Sequence, residues 1–223
     1  MSKKLVAFSG SLRKGSNTTL LMEQFLNGTQ RNYPQAEAYN AAELNLDYCH
    51  GCLRCNRLGH CSLDDDYWLT LAGKILDADI LLFASPVYFH HVSAPMKKLI
   101  DRFRSFVRVQ VTETGLEHTP HTEWKKDFVL LLTMGSSDSA DAAPVIELFR
   151  FMTSILGKNN QLHVITANRL IIPNQLIQNE EKLTKLYRIL KLPPQLARVD
   201  AAKNREIMEK VFMLGTALTM DKF

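Results

Sequence analysis

All four cysteines of the 223-residue chain fall between Cys49 and Cys61, in the spacing C-x2-C-x2-C-x5-C. A disulfide framework would spread its cysteines to tie distant segments together, and cytosolic proteins rarely keep disulfides. A cluster this local reads as a ligand set instead. Thiolates two residues apart can converge on one object inside a tight loop, and Gly51 and Gly59 let the backbone turn around it. Structural zinc sites more often use two separated knuckles. The compact run therefore favours a [4Fe–4S] cluster on Cys49, Cys52, Cys55 and Cys61. The Cys-Pro that ends bacterial ferredoxin runs is missing here. Zinc, and free thiols that only line a neighbouring site, stay as alternatives.

A second segment suits an anion. Residues 9–18 read Ser-Gly-Ser-Leu-Arg-Lys-Gly-Ser-Asn-Thr, small residues, hydroxyls and two cations just before an expected helix. Backbone N–H groups and the helix dipole attract negative charge at such a terminus, and hydroxyls donate to phosphate oxygens. The loop matches neither GxxxxGK[ST] nor GxGxxG. A third segment, residues 85–97, carries Pro86, Val87, Tyr88 and Phe89 ahead of a helix expected near Ala94. Its two aromatic rings can stack on a planar group, or simply pack. Solvated loop histidines are common, so His90 and His91 are given no proton-transfer role.

These loops need a frame that brings them together. Near-continuous apolar runs at 4–9, 79–84, 128–133 and 162–166 suit strands buried on both faces of a parallel sheet. A more polar run at 36–41 suits an edge strand. Pro86 is expected to end the third strand. Between the runs the apolar period turns helical: Met96, Leu99, Ile100, Phe103 and Val107; Val145, Leu148, Phe149, Met152 and Leu156; Leu183, Leu186, Tyr187 and Leu190; Ile207, Val211, Leu214 and Leu218. Strands alternating with helices predict a doubly wound α/β sheet in three layers. Ligands bind beyond the carboxyl ends of such strands, so the three loops are expected to gather there, the cysteine loop included.

Composition agrees with this frame. With 46% hydrophobic and 22% charged residues the chain can bury a proper core. Lysine and arginine exceed aspartate and glutamate by only 27 to 23, spread along the chain, which argues against a dedicated nucleic-acid binder. Residues 1–4 lead straight into the first apolar run, too little for a signal peptide, and no stretch approaches the roughly 20 apolar residues of a membrane span. A cytoplasmic protein is expected. Its length suits one domain, 1–223, with a helical C-terminal extension from about residue 174.

Three segments in order resemble the flavodoxin-like NAD(P)H-dependent FMN reductases and, more narrowly, the iron–sulfur flavoproteins of that superfamily. They are residues 10–18, the cysteine run with Asp64, Asp65 and Asp66, and residues 85–97 with Asp101 and Arg102. The resemblance covers about the first 135 residues. It implies a flavodoxin-like five-stranded parallel sheet and an FMN-dependent oxidoreductase. The electron donor would be NAD(P)H or a reduced carrier such as ferredoxin, and the acceptor a small molecule. It implies further that Ser11, Arg13, Ser16, Asn17 and Thr18, with Ser9 heading the loop, hold the FMN phosphate. Pro86, Val87, Tyr88 and Phe89 would border the isoalloxazine ring, and the loop bearing Thr133, Gly135 and Ser136 would close over its other edge. A homodimer or homotetramer is implied as well. The resemblance assigns no acid, base or nucleophile, because flavin chemistry belongs to the cofactor.

Overall fold

The computed structural model describes residues 3–29 and 35–220. Met1 and Ser2, part of the segment read as too short for a signal peptide, lie outside them. The elements run β1 (Leu5–Ser9), α1 (Asn17–Thr29), β2 (Ala36–Asn40), α2 (Cys55–Leu58), α3 (Trp68–Asp77), β3 (Ile80–Tyr88), β4 (His91–Val92) and α4 (Ala94–Arg102). They continue with β5 (Val107–Thr112), β6 (Gly115–Pro120), β7 (Asp127–Thr133), α5 (Ala143–Leu156), β8 (Gln161–Ala167), α6 (Glu180–Ile189) and α7 (Leu196–Thr219).

The expected parallel sheet is present, in the order β2-β1-β3-β7-β8. Side chains alternate across it, and each face buries one half of the set. Leu5, Ala7, Ile80, Leu82, Val129 and Leu131 pack beneath Leu21 and Phe25 of α1 and Ile207 and Val211 of α7. Val6, Phe8, Leu81, Phe83, Phe128 and Leu130 face α3, α4 and α5 through Leu71, Met96, Leu99, Val145 and Phe149. The rings of Phe8, Phe103 and Phe149 lie 5.5, 5.7 and 5.1 Å from that of Phe83. β2 is largely exposed at the edge, as its polar sequence demands.

Two local expectations are corrected. β3 does not stop at Pro86; it continues to Tyr88 and then turns back on itself, pairing antiparallel with β4. The proline is tolerated because β1 pairs with β3 only as far as Ala84, leaving one side of Pro86 without a strand neighbour. Val107 does not continue the helical stripe of α4. The helix ends at Arg102, a tight turn covers Phe103–Phe106, and Val107 opens a separate hairpin, β5–β6, that was not foreseen. Among the described residues, no helix is long and apolar enough to cross a membrane.

α7 lies directly against α1, and two glycines set the approach. A Cβ on Gly28 would stand 2.2 Å from the carbonyl oxygen of Phe212, and one on Gly215 would stand 2.3 Å from that of Phe25. Both obstacles are backbone, so neither can swing aside. Gly215→Ala must push the helices apart, and we expect it to lower stability by about 1–3 kcal/mol in chemical denaturation, with far-UV circular dichroism retained.

Candidate functional site

β1, β3 and β7 end side by side, and the loops leaving them form a cavity of about 260 Å³. It sits where the sheet order reverses between β1 and β3, the place an open α/β sheet offers to a ligand. Ser11, Arg13, Ser16, Asn17, Thr18, Pro86, Val87, Tyr88, Thr133 and Gly135, all named from the sequence, line it together. Ser9 is buried behind it, bonded to the Thr19 hydroxyl at 3.0 Å. Ser136 does not line it either; its Oγ accepts from the backbone N–H of Asp138 at 3.1 Å.

Phe89 is also elsewhere. The two-residue turn between β3 and β4 needs positive φ at both positions, and Phe89 (49°) and His90 (59°) supply them. That geometry leaves the Phe89 ring wholly exposed. His90 points toward Asp141, with Nδ1 3.3 Å from its carbonyl oxygen.

The polar half of the cavity is built on the start of α1. Ser16 caps the helix, its Oγ accepting from the N–H of Thr18 at 3.1 Å and of Thr19 at 3.4 Å. The Thr18 hydroxyl meets that of Thr133 at 2.6 Å and ties the loop to the end of β7. Arg13 reaches across the mouth and donates to the carbonyl of Ile171 at 3.2 Å. Asn17 is a strap: Nδ2 donates to the Ile172 carbonyl at 2.8 Å, and Oδ1 accepts from the Leu176 N–H at 3.1 Å. With both ends of its amide used, Asn17 shapes the cavity more than it can hold a ligand.

The apolar half contains Met134, from the loop expected to close over the ring, and two residues that sequence reasoning missed: Leu170 and Ile171. Leu170 and Ile171 come from the loop after β8, folded back against the loop after β1. Their one signal was an apolar triplet, Leu170-Ile171-Ile172, separated from the last strand by two residues. Hydroxyls, a guanidinium and a helix N-terminus on one side suit a phosphate dianion. Pro86, Val87, Tyr88 and Leu170 on the other suit a flat aromatic ring. The donor set therefore fits a phosphorylated planar cofactor.

The four cysteines share a second cavity of about 210 Å³ with Arg102, Arg104 and Ser105. It is not where the sequence put it. Ser93, just before α4, donates to the Gly10 carbonyl in the first site at 2.6 Å, whereas Arg102 ends the same helix beside the cysteines. The two cavities thus lie toward opposite ends of a nine-residue helix that rises about 13 Å. The stretch between β2 and α2 is long enough to leave the sheet edge and run down beside α4.

Arg102 organises this cavity. Its side chain is fully buried, forks onto the Asp66 carboxylate, donates to the Asp47 carbonyl at 2.8 Å, and approaches the Cys61 Sγ at 3.4 Å. Trp68 covers the guanidinium at 5.2 Å. Arg104 donates to the Cys55 Sγ at 3.5 Å and to Asn56 Oδ1 at 2.8 Å, and Asn56 in turn bonds both backbone groups of Val109 in the hairpin. Burial raises the Cys55 thiol above its usual range despite Arg104. The backbone around Arg54 and the Ser62 hydroxyl hold exposed Cys52 below it. Among the described residues, no three His, Cys, Asp or Glu side chains are arranged to hold a metal ion.

Fold and first site together define a flavodoxin-type, cofactor-binding α/β protein. The chain belongs to the NADPH-dependent FMN reductase family, whose sequence model matches residues 3–175. An iron–sulfur flavoprotein of Methanocaldococcus jannaschii is 40% identical over 101 residues, 45% of this chain and 52% of that protein. The chain matches about half the length of the iron–sulfur flavoproteins it is similar to. YwqN of Bacillus subtilis, provisionally named an NAD(P)H-dependent FMN-containing oxidoreductase, is 23% identical over 84% of this chain and 97% of its own. Among solved structures, an NAD(P)H:quinone oxidoreductase from Methanothermobacter marburgensis superposes over 100% of both chains with TM-score 0.63 and 12% identity. An FMN-dependent NADH-azoreductase from Bacillus anthracis, in complex with FMN, covers 97% of this chain and 100% of its own with TM-score 0.63 and 10% identity. At such identities the likeness is one of fold.

The Asp66–Arg102 pair gives a test of stability. Burial alone would raise the Asp66 carboxyl, but the Arg102 hydrogen bond and the N–H groups of Asp47 and Trp68 outweigh it and hold the group below its usual range. A folded-state value below the unfolded one means the contribution is present above about pH 4 and is lost as pH falls through the folded value. Asp66→Asn leaves a buried guanidinium without its counter-charge, so it should cost about 3–5 kcal/mol at pH 7. The gap between parent and variant should narrow below pH 4 in denaturation curves; a gap that does not change with pH would contradict the assignment.

Proposed function

We propose that this chain binds FMN in the cavity at the ends of β1, β3 and β7, and carries electrons from NAD(P)H or a reduced carrier to a small-molecule acceptor. The observation that supports this most is the shared cavity. It joins hydroxyls, Arg13 and the α1 N-terminus on one side to an apolar, partly aromatic wall on the other. FMN, when bound, supplies the hydride-accepting and electron-carrying chemistry. The protein's part is binding, orientation and exclusion of water. Ser11, Arg13, Ser16 and the N–H groups opening α1 would hold the phosphate, while Pro86, Val87, Tyr88, Leu170 and Ile171 would hold the ring. Thr18, Thr133 and Asn17 would keep these parts in register.

The close packing of α7 on α1 supports reading the C-terminal helices as part of this one FMN-binding unit. Leu12, Tyr88, Phe89 and Ile171 are all exposed on or beside the loops that form the cavity. This apolar margin supports assembly as a homodimer or homotetramer.

A second reading concerns the cysteines. All four line one cavity, and guanidiniums donate to two of their sulfurs. Thiols spread around a cavity, rather than converged on a point, suit a multinuclear [4Fe–4S] group better than a single zinc ion. Anaerobic reconstitution with iron and sulfide should load the parent stoichiometrically and Cys52→Ser less. Equal loading, or none in the parent, would remove the cluster.

For the first reading, the parent should bind FMN, and NADH or NADPH should bleach the bound flavin's visible absorbance. Arg13→Ala removes a charge-assisted donor worth about 1.5–3 kcal/mol, so we expect FMN affinity to fall at least about tenfold. Equal affinity in parent and variant would place the phosphate elsewhere.

A further inference from the structure

The family match ends at residue 175, yet the residues beyond it are wired into the first site. The loop from Arg169 to Leu176 forms part of the cavity wall, and Gln175, fully buried, holds it in shape. Gln175 Oε1 accepts from the N–H groups of Ile171 at 3.0 Å and Ile172 at 3.3 Å, while Nε2 donates to the Arg169 carbonyl at 2.7 Å. The same Nε2 donates to the Tyr187 hydroxyl of α6 at 2.8 Å, and that hydroxyl donates to Asp200 of α7 at 2.8 Å.

Tyr187 and Asp200 are also buried. Asp200 is held from the other side by Arg169 Nε at 2.7 Å and Lys203 Nζ at 3.3 Å. A chain of hydrogen bonds thus runs from the two C-terminal helices to the backbone of Ile171, whose carbonyl fixes the Arg13 guanidinium.

We infer that Tyr187 and Asp200 are positioning residues that tune phosphate recognition in the cavity, acting through Gln175 and the Ile171 carbonyl on Arg13. The inference rests on the FMN reading above. Buried groups in such a network cannot turn to water when a partner is lost, so they must rearrange. Without the Tyr187 hydroxyl, the Gln175 amide loses one of the contacts that orient it. The backbone of Ile171 and Ile172 then loosens, and Arg13 loses its fixed place. Loosening of the Ile171 wall weakens the hold on the ring in either ligand, but only a ligand with a phosphate also feels the loss of Arg13, so the preference between the two falls.

Riboflavin is that ring without the phosphate, and comparing the two ligands tests the inference. Dissociation constants for FMN and riboflavin are measured for the parent, Tyr187→Phe and Asp200→Asn, with Ile75→Ala as a control. Ile75 is buried on the opposite face of the sheet and outside the relay, so the control loses stability alone. We expect the preference for FMN over riboflavin to fall about fivefold in Tyr187→Phe and in Asp200→Asn, and to be unchanged in Ile75→Ala.

Should Tyr187→Phe not fold, Asp200→Asn carries the same test. Relay variants that keep the parent's preference overturn the inference, and so does a control that loses it equally, since general destabilisation then explains the change. A parent that binds both ligands alike overturns the phosphate-loop reading itself and this inference with it. A parent that binds neither overturns the FMN reading.

Discussion

The carboxamide of Asn17 stands at the first turn of α1 and grips backbone 155 and 159 residues further along the chain. It joins two loops that the sheet alone would leave independent: the one after β1 and the one after β8. The joint is reinforced by Arg13 on the Ile171 carbonyl and by the N–H of Asn174 on the Gly15 carbonyl at 2.8 Å. Gly15 itself has φ of +64°, and a Cβ there would meet the Asn174 side chain at 2.7 Å, so the contact requires glycine at this position. With the two loops locked, Leu170 and Ile171 become a wall, and the helix N-terminus faces that wall across a cavity instead of open solvent. The polar donors and the apolar surface oppose each other only because of this closure.

The sequence showed most clearly what repeats. Strands buried on both faces have no polar alternation, and β1, β3, β7 and β8 were legible for that reason; β2 was legible as an edge because Glu37 and Asn40 interrupt it. Most of the cavity was legible too, since three loops leaving parallel strands must gather at one end. What failed was closure at long range. Nothing local tells that Ile171 will reach Arg13, because that contact depends on α7 pressing the chain back onto α1. The hairpin failed for another reason. Val107 sits four residues after Phe103, a spacing that a helix and a tight turn followed by a strand satisfy equally, and both place the side chain in the core. Phe89 was misplaced because its backbone, in the left-handed region, aims the ring away from the residues beside it.

The cysteine loop shows how a buried charge can move a site. Nothing in the run of cysteines says where it will rest, only that it leaves β2 at the ligand-binding end. Arg102 decides the rest. A fully buried guanidinium carries a large desolvation cost unless its charge and donors are met. In this fold its two terminal nitrogens are met by Asp66, the Asp47 carbonyl and Cys61, all from the segment between β2 and α3, while Nε is left without a partner among the described residues. That segment must therefore lie along α4 to its C-terminal end, and the cysteines are carried with it. Of the acidic residues after Cys61, Asp66 acts as the anchor for the backbone around the thiols.

α4 thus acts as a strut with a different site at each end. Its start is fixed to the first cavity: Ser93 bonds the Gly10 carbonyl through Oγ and the Ser85 hydroxyl through its N–H at 3.1 Å. Its finish is fixed to the second by Arg102. Between them Met96 and Leu99 seat the helix in the core beside Phe83, so it cannot slide without disturbing the packing of β3. α4 and its well-packed interface thus anchor the loops of both cavities to one rigid element. A rearrangement at either cavity that shifted α4 would have to displace the other. The core beneath the helix resists such a shift, so the two sites are held as fixed neighbours within one chain.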